Sequence, residues 1–177
     1  MNTAALTVRL RMEPLRPTHA PLLFPVLADP RIYAFVPDSA HSSVTSLAQR
    51  YARLEEGAPA GTNEVWLNWA LRRTDTLAYI GTLQATVTPG VHAFIGYVLT
   101  PPAWGKGFAT EACGWLVAEL QKRFVLTEIL ATVDVRNLRS IRVLEHLGFR
   151  CLGTETAVLR GEVTEDHRYS FACQVAA

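Results

Sequence analysis

The stretch from residue 95 to residue 112, IGYVLTPPAWGKGFATEA, constrains the fold more than any other part of this chain. It runs from an apolar, β-prone segment through two prolines into Gly105 and Gly107. Apolar residues then recur at Ala109, Ala112, Leu116, Val117, Leu120 and Phe124. Those spacings have the period of a helix. A strand-like run, EILATVDV, follows. Strand, glycine turn, helix and strand in that order make a crossover connection, which sets the strand at 128–135 parallel to the one at 92–100. The N–H groups from Gly105 to Thr110 then point out of a helix start, where the macrodipole favours anions. Small residues at 105, 107 and 109 let a ligand approach the backbone, so the loop reads as an anion cradle. A dinucleotide-binding GxGxxG would need glycine where Thr110 stands, and a P-loop GxxxxGK[ST] is absent. The plain alternative is a tight turn that uses glycine for its backbone freedom.

The remaining chain supplies a mixed sheet around this segment. LTVRLRMEPL alternates as a first strand with Leu6, Val8, Leu10 and Met12 on one face. RPTHAPLLFPVLADP reads as a short helix, RIYAFVPDSAH as a loop, and SVTSLAQRYARLEEG as a second helix ending at Gly57. Three strands, EVWLNWALRR, LAYIGTLQATV and HAFIGYVLT, form a meander. NLRSIRVLEHLGF is a short helix with Asn137 as N-cap and Gly148 just past its end. FRCLGTETAVLR and HRYSFACQV close the chain as a hairpin around the polar loop GEVTED. The expected order is β-α-α-β-β-β-α-β-α-β-β, in one domain spanning residues 1–177.

At 177 residues with 49% hydrophobic and 19% charged residues, the composition is that of an ordinary globule. A formal net charge of +1 gives no electrostatic reason to expect nucleic acid or an anionic membrane as partner. No signal peptide and no membrane-spanning run is expected. Cys113, Cys151 and Cys173 are odd in number and widely spaced, so neither a disulfide framework nor a metal site is expected, and each reads as a buried small hydrophobe in a reducing cytosol.

IGYVLTPPAWGKGFATEA followed by NLRSIRVLEHLGF resembles the GNAT superfamily of N-acetyltransferases, in particular its RimJ/RimL-like branch, over nearly the whole chain. The resemblance implies an α/β (α+β) GNAT fold: a mixed, mostly antiparallel seven-stranded sheet, splayed between strands 4 and 5 and flanked by about four helices. It implies a cytoplasmic enzyme that uses acetyl-CoA as co-substrate, without metal, to acetylate a primary amine. In the RimJ/RimL-like branch that amine is a protein N-terminal α-amine; a small amine such as a polyamine, amino acid or aminoglycoside is the alternative. A non-catalytic acyl-CoA sensor is a third reading, and a homodimer is left open.

By the same resemblance, the family's [Q/R]-x-x-G-x-[G/A] motif falls on Trp104, Gly107 and Ala109, with Trp104 replacing the usual first residue. Pyrophosphate would bind at Gly105, Lys106, Gly107, Phe108, Ala109 and Thr110, and the pantetheine arm would pair with the backbone at Val98 and Leu99. An N–H there would face the thioester oxygen, where negative charge develops. Asn137 matches the asparagine that holds the pantetheine arm, its alternative being a simple helix cap. Ser140, one turn later, matches the serine proposed to protonate the departing thiolate. Leu144 stands where many relatives have a tyrosine acid, and Phe94 where many have a glutamate base. His92, Asp134 and Glu155 are the remaining base candidates. Arg136, Arg139 and Arg142 recur on the last helix, where at least two are expected to be merely solvated. Of Trp66 and Trp69, on opposite strand faces, one belongs in the core and the other lines an acceptor groove.

Overall fold

Val65–Arg73 (β3) buries Leu67, Trp69 and Leu71 on one face and Asn68 and Ala70 on the other. A strand covered on both sides needs helices above and below its sheet. The computed structural model, which describes residues 3–173, has that arrangement. Ala5–Leu6 (β1), Leu10–Pro14 (β2), β3, Tyr79–Thr88 (β4), His92–Leu99 (β5), Glu128–Asp134 (β6), Arg150–Leu159 (β7) and Glu162–Ala172 (β8) form one sheet in the order β1-β2-β3-β4-β5-β6-β8-β7. Phe108–Arg123 (α3) contributes Ala112, Cys113, Leu116 and Leu120 to a core against Trp69, Leu83 and Ile129 on one side. On the other side, Ala20–Leu23 (α1) and Val44–Glu56 (α2) bring Leu23, Leu47 and Tyr51 against Ala70. Leu138–His146 (α4) follows β6. No helix among the described residues is long and apolar enough to cross a membrane.

The pairing of β5 with β6 positions the site. The two are parallel neighbours at only three positions, His92 with Glu128, Ala93 with Ile129 and Phe94 with Leu130. Beyond Phe94, β5 stays paired with β4 as far as Leu99, and β6 with β8 as far as Asp134. The sheet therefore opens into a V between them, as the resemblance implied.

Three expectations are corrected. The N-terminal strand is broken, because the Thr7 N–H donates to the Leu10 carbonyl while the Leu10 N–H donates to the Thr7 hydroxyl oxygen, folding β1 back on β2. Leu6 and Val8 are thereby exposed while Leu10 and Met12 are buried, and the sheet has eight strands rather than seven. The first helix is fragmentary, a 3-10 turn at Pro17–His19 followed by the four residues of α1, since Pro25 has no N–H with which to continue the helical ladder. A further 3-10 turn, Pro30–Phe35, occupies the expected loop. The last hairpin turns at Arg160 and Gly161, both at positive φ, as a two-residue turn requires, so residues 162–166 of the expected loop belong to β8. Gln174 and Val175 of the expected last strand lie outside the described residues.

Candidate active site

Two cavities meet at the V. The larger, of about 700 Å³, lies between the start of α3 and the face of α4. The smaller, of about 290 Å³, is enclosed by α2, the segment at 35–41 and the inner strands. Phe35, Val36, Tyr97, Val98, Asn137 and Ser140 line both, so the two spaces adjoin there.

Gly107 (φ +79°) caps α3, and the helix's first bond to it runs from the Glu111 N–H to the Gly107 carbonyl at 3.0 Å. Among the described residues no backbone group accepts from the N–H groups of Gly105, Lys106, Gly107, Phe108, Ala109 or Thr110. They include the orphan donors of the α3 start, a geometry that suits an anion. Gly105, Gly107, Phe108, Ala109 and Thr110 line the large cavity, whereas the Lys106 side chain lies outside its walls. The Lys106 carbonyl accepts from Arg9 Nη1 at 2.8 Å. Arg9 Nε also binds Glu111 at 2.6 Å, and the Arg9 and Arg73 guanidinium groups lie 4.7 and 5.2 Å from the Phe108 ring centroid.

The charge of this cavity suits a polyanion. Arg9, Arg31, Arg139 and Arg142 line it against a single carboxylate, Glu111. Burial works to raise the Glu111 pKa, but hydrogen bonds from Thr7 and Arg9 outweigh it and hold the carboxyl below its ordinary value. Arg139 and Arg142 are exposed, as expected, yet border this cavity, because residues four and seven positions before His146 share its helix face. Arg136 alone is elsewhere, bound to Asp134 and lying over Phe35.

On β5 the Thr100 N–H donates to the Ile80 carbonyl, and the Val98 carbonyl faces Gly81. Strand alternation therefore turns the Val98 peptide toward β4 and the Tyr97 and Leu99 peptides toward the V. Of the two expected donors, Leu99 is thus the one whose N–H faces the opening, while Val98 lines it with its side chain. Trp104 Nε1 donates to the Leu99 carbonyl at 2.7 Å, and the Arg139 guanidinium lies 4.5 Å from the Trp104 ring. This gives the departure from Gln/Arg at position 104 a structural role: the indole joins the strand end to α4.

Asn137 Oδ1 accepts from the Ser140 N–H at 3.3 Å, capping α4, which leaves the amide NH2 to face the cavities. Ser140 stands beside Tyr97. Burial pushes the Tyr97 phenol well above its ordinary value, with the Ser140 hydroxyl opposing. The Tyr97 hydroxyl is buried and makes no well-formed hydrogen bond among the described residues.

None of the sequence-derived base candidates lines either cavity. His92 packs edge-on against Phe94 at 5.2 Å. Asp134 accepts from the Arg136 N–H and guanidinium, which holds its carboxyl below the ordinary value and makes it a poorer proton acceptor. Glu155 is exposed on β7. Besides its phenols, the small cavity is lined by Arg50 of α2 and by two groups that could accept a proton, Asp38 and His41, on a segment with no readable pattern. Burial and Arg50 lower the His41 pKa, so the ring is neutral near pH 7 and able to accept a proton. Trp69 is the core tryptophan, edge-on to Trp115 at 5.2 Å, while Trp66 donates to Glu64 and lines neither cavity. Cys113 is buried and Cys173 half-buried, but Cys151 is exposed, since β7 is an edge strand with little cover.

The family model for the acetyltransferase (GNAT) domain matches residues 9–150. The chain belongs to the GNAT acetyltransferase family. It is 29% identical over 110 residues to the uncharacterized N-acetyltransferase YoaA of Bacillus subtilis (strain 168), covering 61% of this chain and 62% of that relative. The matched stretch is thus under two thirds of YoaA's length. Two solved structures share the GNAT fold with it. RimL, the ribosomal L7/L12 alpha-N-protein acetyltransferase in complex with coenzyme A, aligns at a TM-score of 0.85 and 16% identity over 98% of this chain and all of that one. The ribosomal-protein-S5-alanine acetyltransferase from Vibrio fischeri aligns at 0.82 and 19% identity over 97% of each.

Proposed function

We propose that this GNAT protein is an acetyl-CoA-dependent N-acetyltransferase of the cytoplasm whose acceptor is the α-amine of a protein N-terminus, attacked directly in a ternary complex. The observation that carries the reading is the pair of cavities meeting at Tyr97, Asn137 and Ser140, one cationic with a free helix start and the other close to neutral. A nucleophile and an acyl donor entering from opposite sides would meet at the V.

Acetyl-CoA supplies an acetyl group activated as a thioester. The N–H groups of residues 105–110 and the four arginines would hold its phosphates, and the Asn137 amide its pantetheine arm. The Leu99 N–H would stabilise the oxygen on which charge develops as the amine attacks. Ser140, backed by Tyr97, whose phenol burial keeps protonated, would deliver a proton to the departing thiolate. The attacking amine would lose its proton to His41 or to water. No activated cysteine favours a covalent acetyl-enzyme, since Cys113 is buried and burial pushes its thiol well above the ordinary value.

RimL and the Vibrio enzyme, by their names, act on ribosomal proteins, which supports a protein N-terminus over a small amine. Phe94, where the resemblance points to a glutamate, favours a second reading as a non-catalytic acyl-CoA sensor. Incubation with acetyl-CoA and a panel of N-terminal peptides, polyamines and aminoglycosides, read by mass spectrometry, separates these. A peptide bearing one added acetyl group is the expected result. Acetylation of a small amine alone overturns the acceptor, and saturable acetyl-CoA binding without any product overturns the enzyme.

A further inference from the structure

The small cavity contains a donor that the scheme above does not use. Tyr51, on α2, is only 2% exposed, lines the cavity, and its hydroxyl has no hydrogen-bond partner among the described residues. A buried hydroxyl left unpaired is costly, so such a group is normally matched by a ligand or solvent acceptor. Burial also pushes the phenol well above its ordinary value, with Tyr33 adding to the shift, so it is a neutral donor across the physiological range. Tyr33 differs from it, since its hydroxyl already donates to the Leu27 carbonyl at 2.8 Å.

The charges around the cavity narrow what can enter. Its one carboxylate, Asp38, is bound to Arg50 at 2.9 Å, and the only other ionisable side chains besides the phenols are Arg50 and His41. A polycationic amine would bury several charges here with no free anion to match them. The rest of the wall is apolar or neutral and polar, including Thr82, Gln84 and Thr132.

Resting on the acetyl-transfer reading, we infer that Tyr51 selects the acceptor by donating its hydroxyl to an oxygen carried beside the amine, as in the carbonyl of an α-amino acyl group. Monoamines bearing such an oxygen fit the cavity; alkylamines without it leave the hydroxyl unpaired, and polyamines additionally bring uncompensated charge. Tyr51 is a specificity-determining residue, separate from the groups at the V that face the thioester.

Calorimetric titration with and without saturating CoA, using L-alaninamide, its shape analogue 1,2-dimethylpropylamine, and spermidine, tests this on the wild-type protein and on Tyr51→Phe. The wild type is expected to bind alaninamide roughly three- to tenfold more tightly than the hydrocarbon analogue, the range of one neutral hydrogen bond. Tyr51→Phe should remove that preference while leaving affinity for CoA and for 1,2-dimethylpropylamine unchanged. Because the hydroxyl has no partner in the structure, the variant should melt no lower than the wild type. A wild type that does not distinguish the two amines, a variant that keeps the full preference, or tighter binding of spermidine overturns the inference. Absence of acetylated product in the mass-spectrometric assay, with the titration preference intact, would overturn the acetyl-transfer reading and not this one.

Discussion

At Gly107 the φ of +79° strains any other residue, and an added Cβ would lie 3.2 Å from Arg9 Nη2, so the flexible guanidinium would have to shift by a few tenths of an ångström. Left-handed backbone alone costs a substituted residue about 1–2 kcal/mol. Gly107→Glu adds a carboxylate where the orphan N–H groups converge and beside the arginine that already neutralises Glu111. The expected outcome is a folded protein that has lost measurable acetyl-CoA binding by calorimetry; unchanged affinity would remove the cradle from residues 105–110. Asn137 shows why single residues were only half legible. Its spacing allowed two roles, cap or ligand, and the geometry makes them compatible, because Oδ1 is engaged with Ser140 while the NH2 is not. Tyr97 and Tyr51 could not be singled out in advance. A tyrosine in a strand or on an apolar helix face reads as core until its hydroxyl is found without a partner.

Among elements, β5 is the one on which both cavities depend, and its position is fixed by β4. Gly81 (φ +154°) lies against Val98, and a Cβ there would collide with the Val98 carbonyl oxygen. Gly81→Ala should therefore cost roughly 3 kcal/mol in urea denaturation, combining overpacking with backbone strain. It should also weaken CoA binding, since relief of the clash moves Val98 and Leu99 at the V. Full affinity in the destabilised variant would show that the strand end is not part of the site. Strands β3 to β6 and helices α2 to α4 were legible because their periodicity is local and each buries a continuous face. The broken N-terminal strand was not, since its alternation continues through a turn made by the Thr7 hydroxyl. The β7–β8 turn was missed for the opposite reason: residues 162–166 are polar because the hairpin is exposed, and polarity reads as loop. That β5 and β6 share only three residue pairs follows from how whole layers settle, so the V came from resemblance and not from pattern.

At the scale of the molecule, charge is distributed so that acid should act on the open side of the sheet. Asp134 and Glu155 both stand opposite Asp166 across β6, β8 and β7, placing like charges in register. Arg136 resolves this for Asp134 only, binding it through main chain and guanidinium and lowering its pKa. Asp166 goes the other way: burial raises its pKa, and repulsion from Asp134 and Glu155 adds to the effect. The two groups therefore have opposite linkage to folding. Asp134, with a folded pKa below the usual carboxylate value, contributes stability that is present above that value and is lost as pH falls through the folded pKa. Asp166, with a folded pKa above the usual value, favours the folded state fully only when protonated, and that contribution is lost as pH rises through its folded pKa. At pH 7, Asp134→Asn should lower the melting temperature and Asp166→Asn should raise it. Both differences should shrink as pH is taken through and below about 4, where the unfolded carboxylates also take up protons. Melting curves of the three proteins between pH 3 and 7 check this, and two variants moving in the same direction at pH 7 would show that the row across β6, β8 and β7 does not govern the acid response. Because Arg136 and the Asp134 carbonyl lead directly into the Asn137 cap, with the Asn137 N–H donating to that carbonyl at 2.8 Å, acid that protonates Asp134 should loosen the start of α4. CoA affinity should then fall in parallel with the melting temperature over the same pH interval in the wild type, and Asp134→Asn should flatten both curves together.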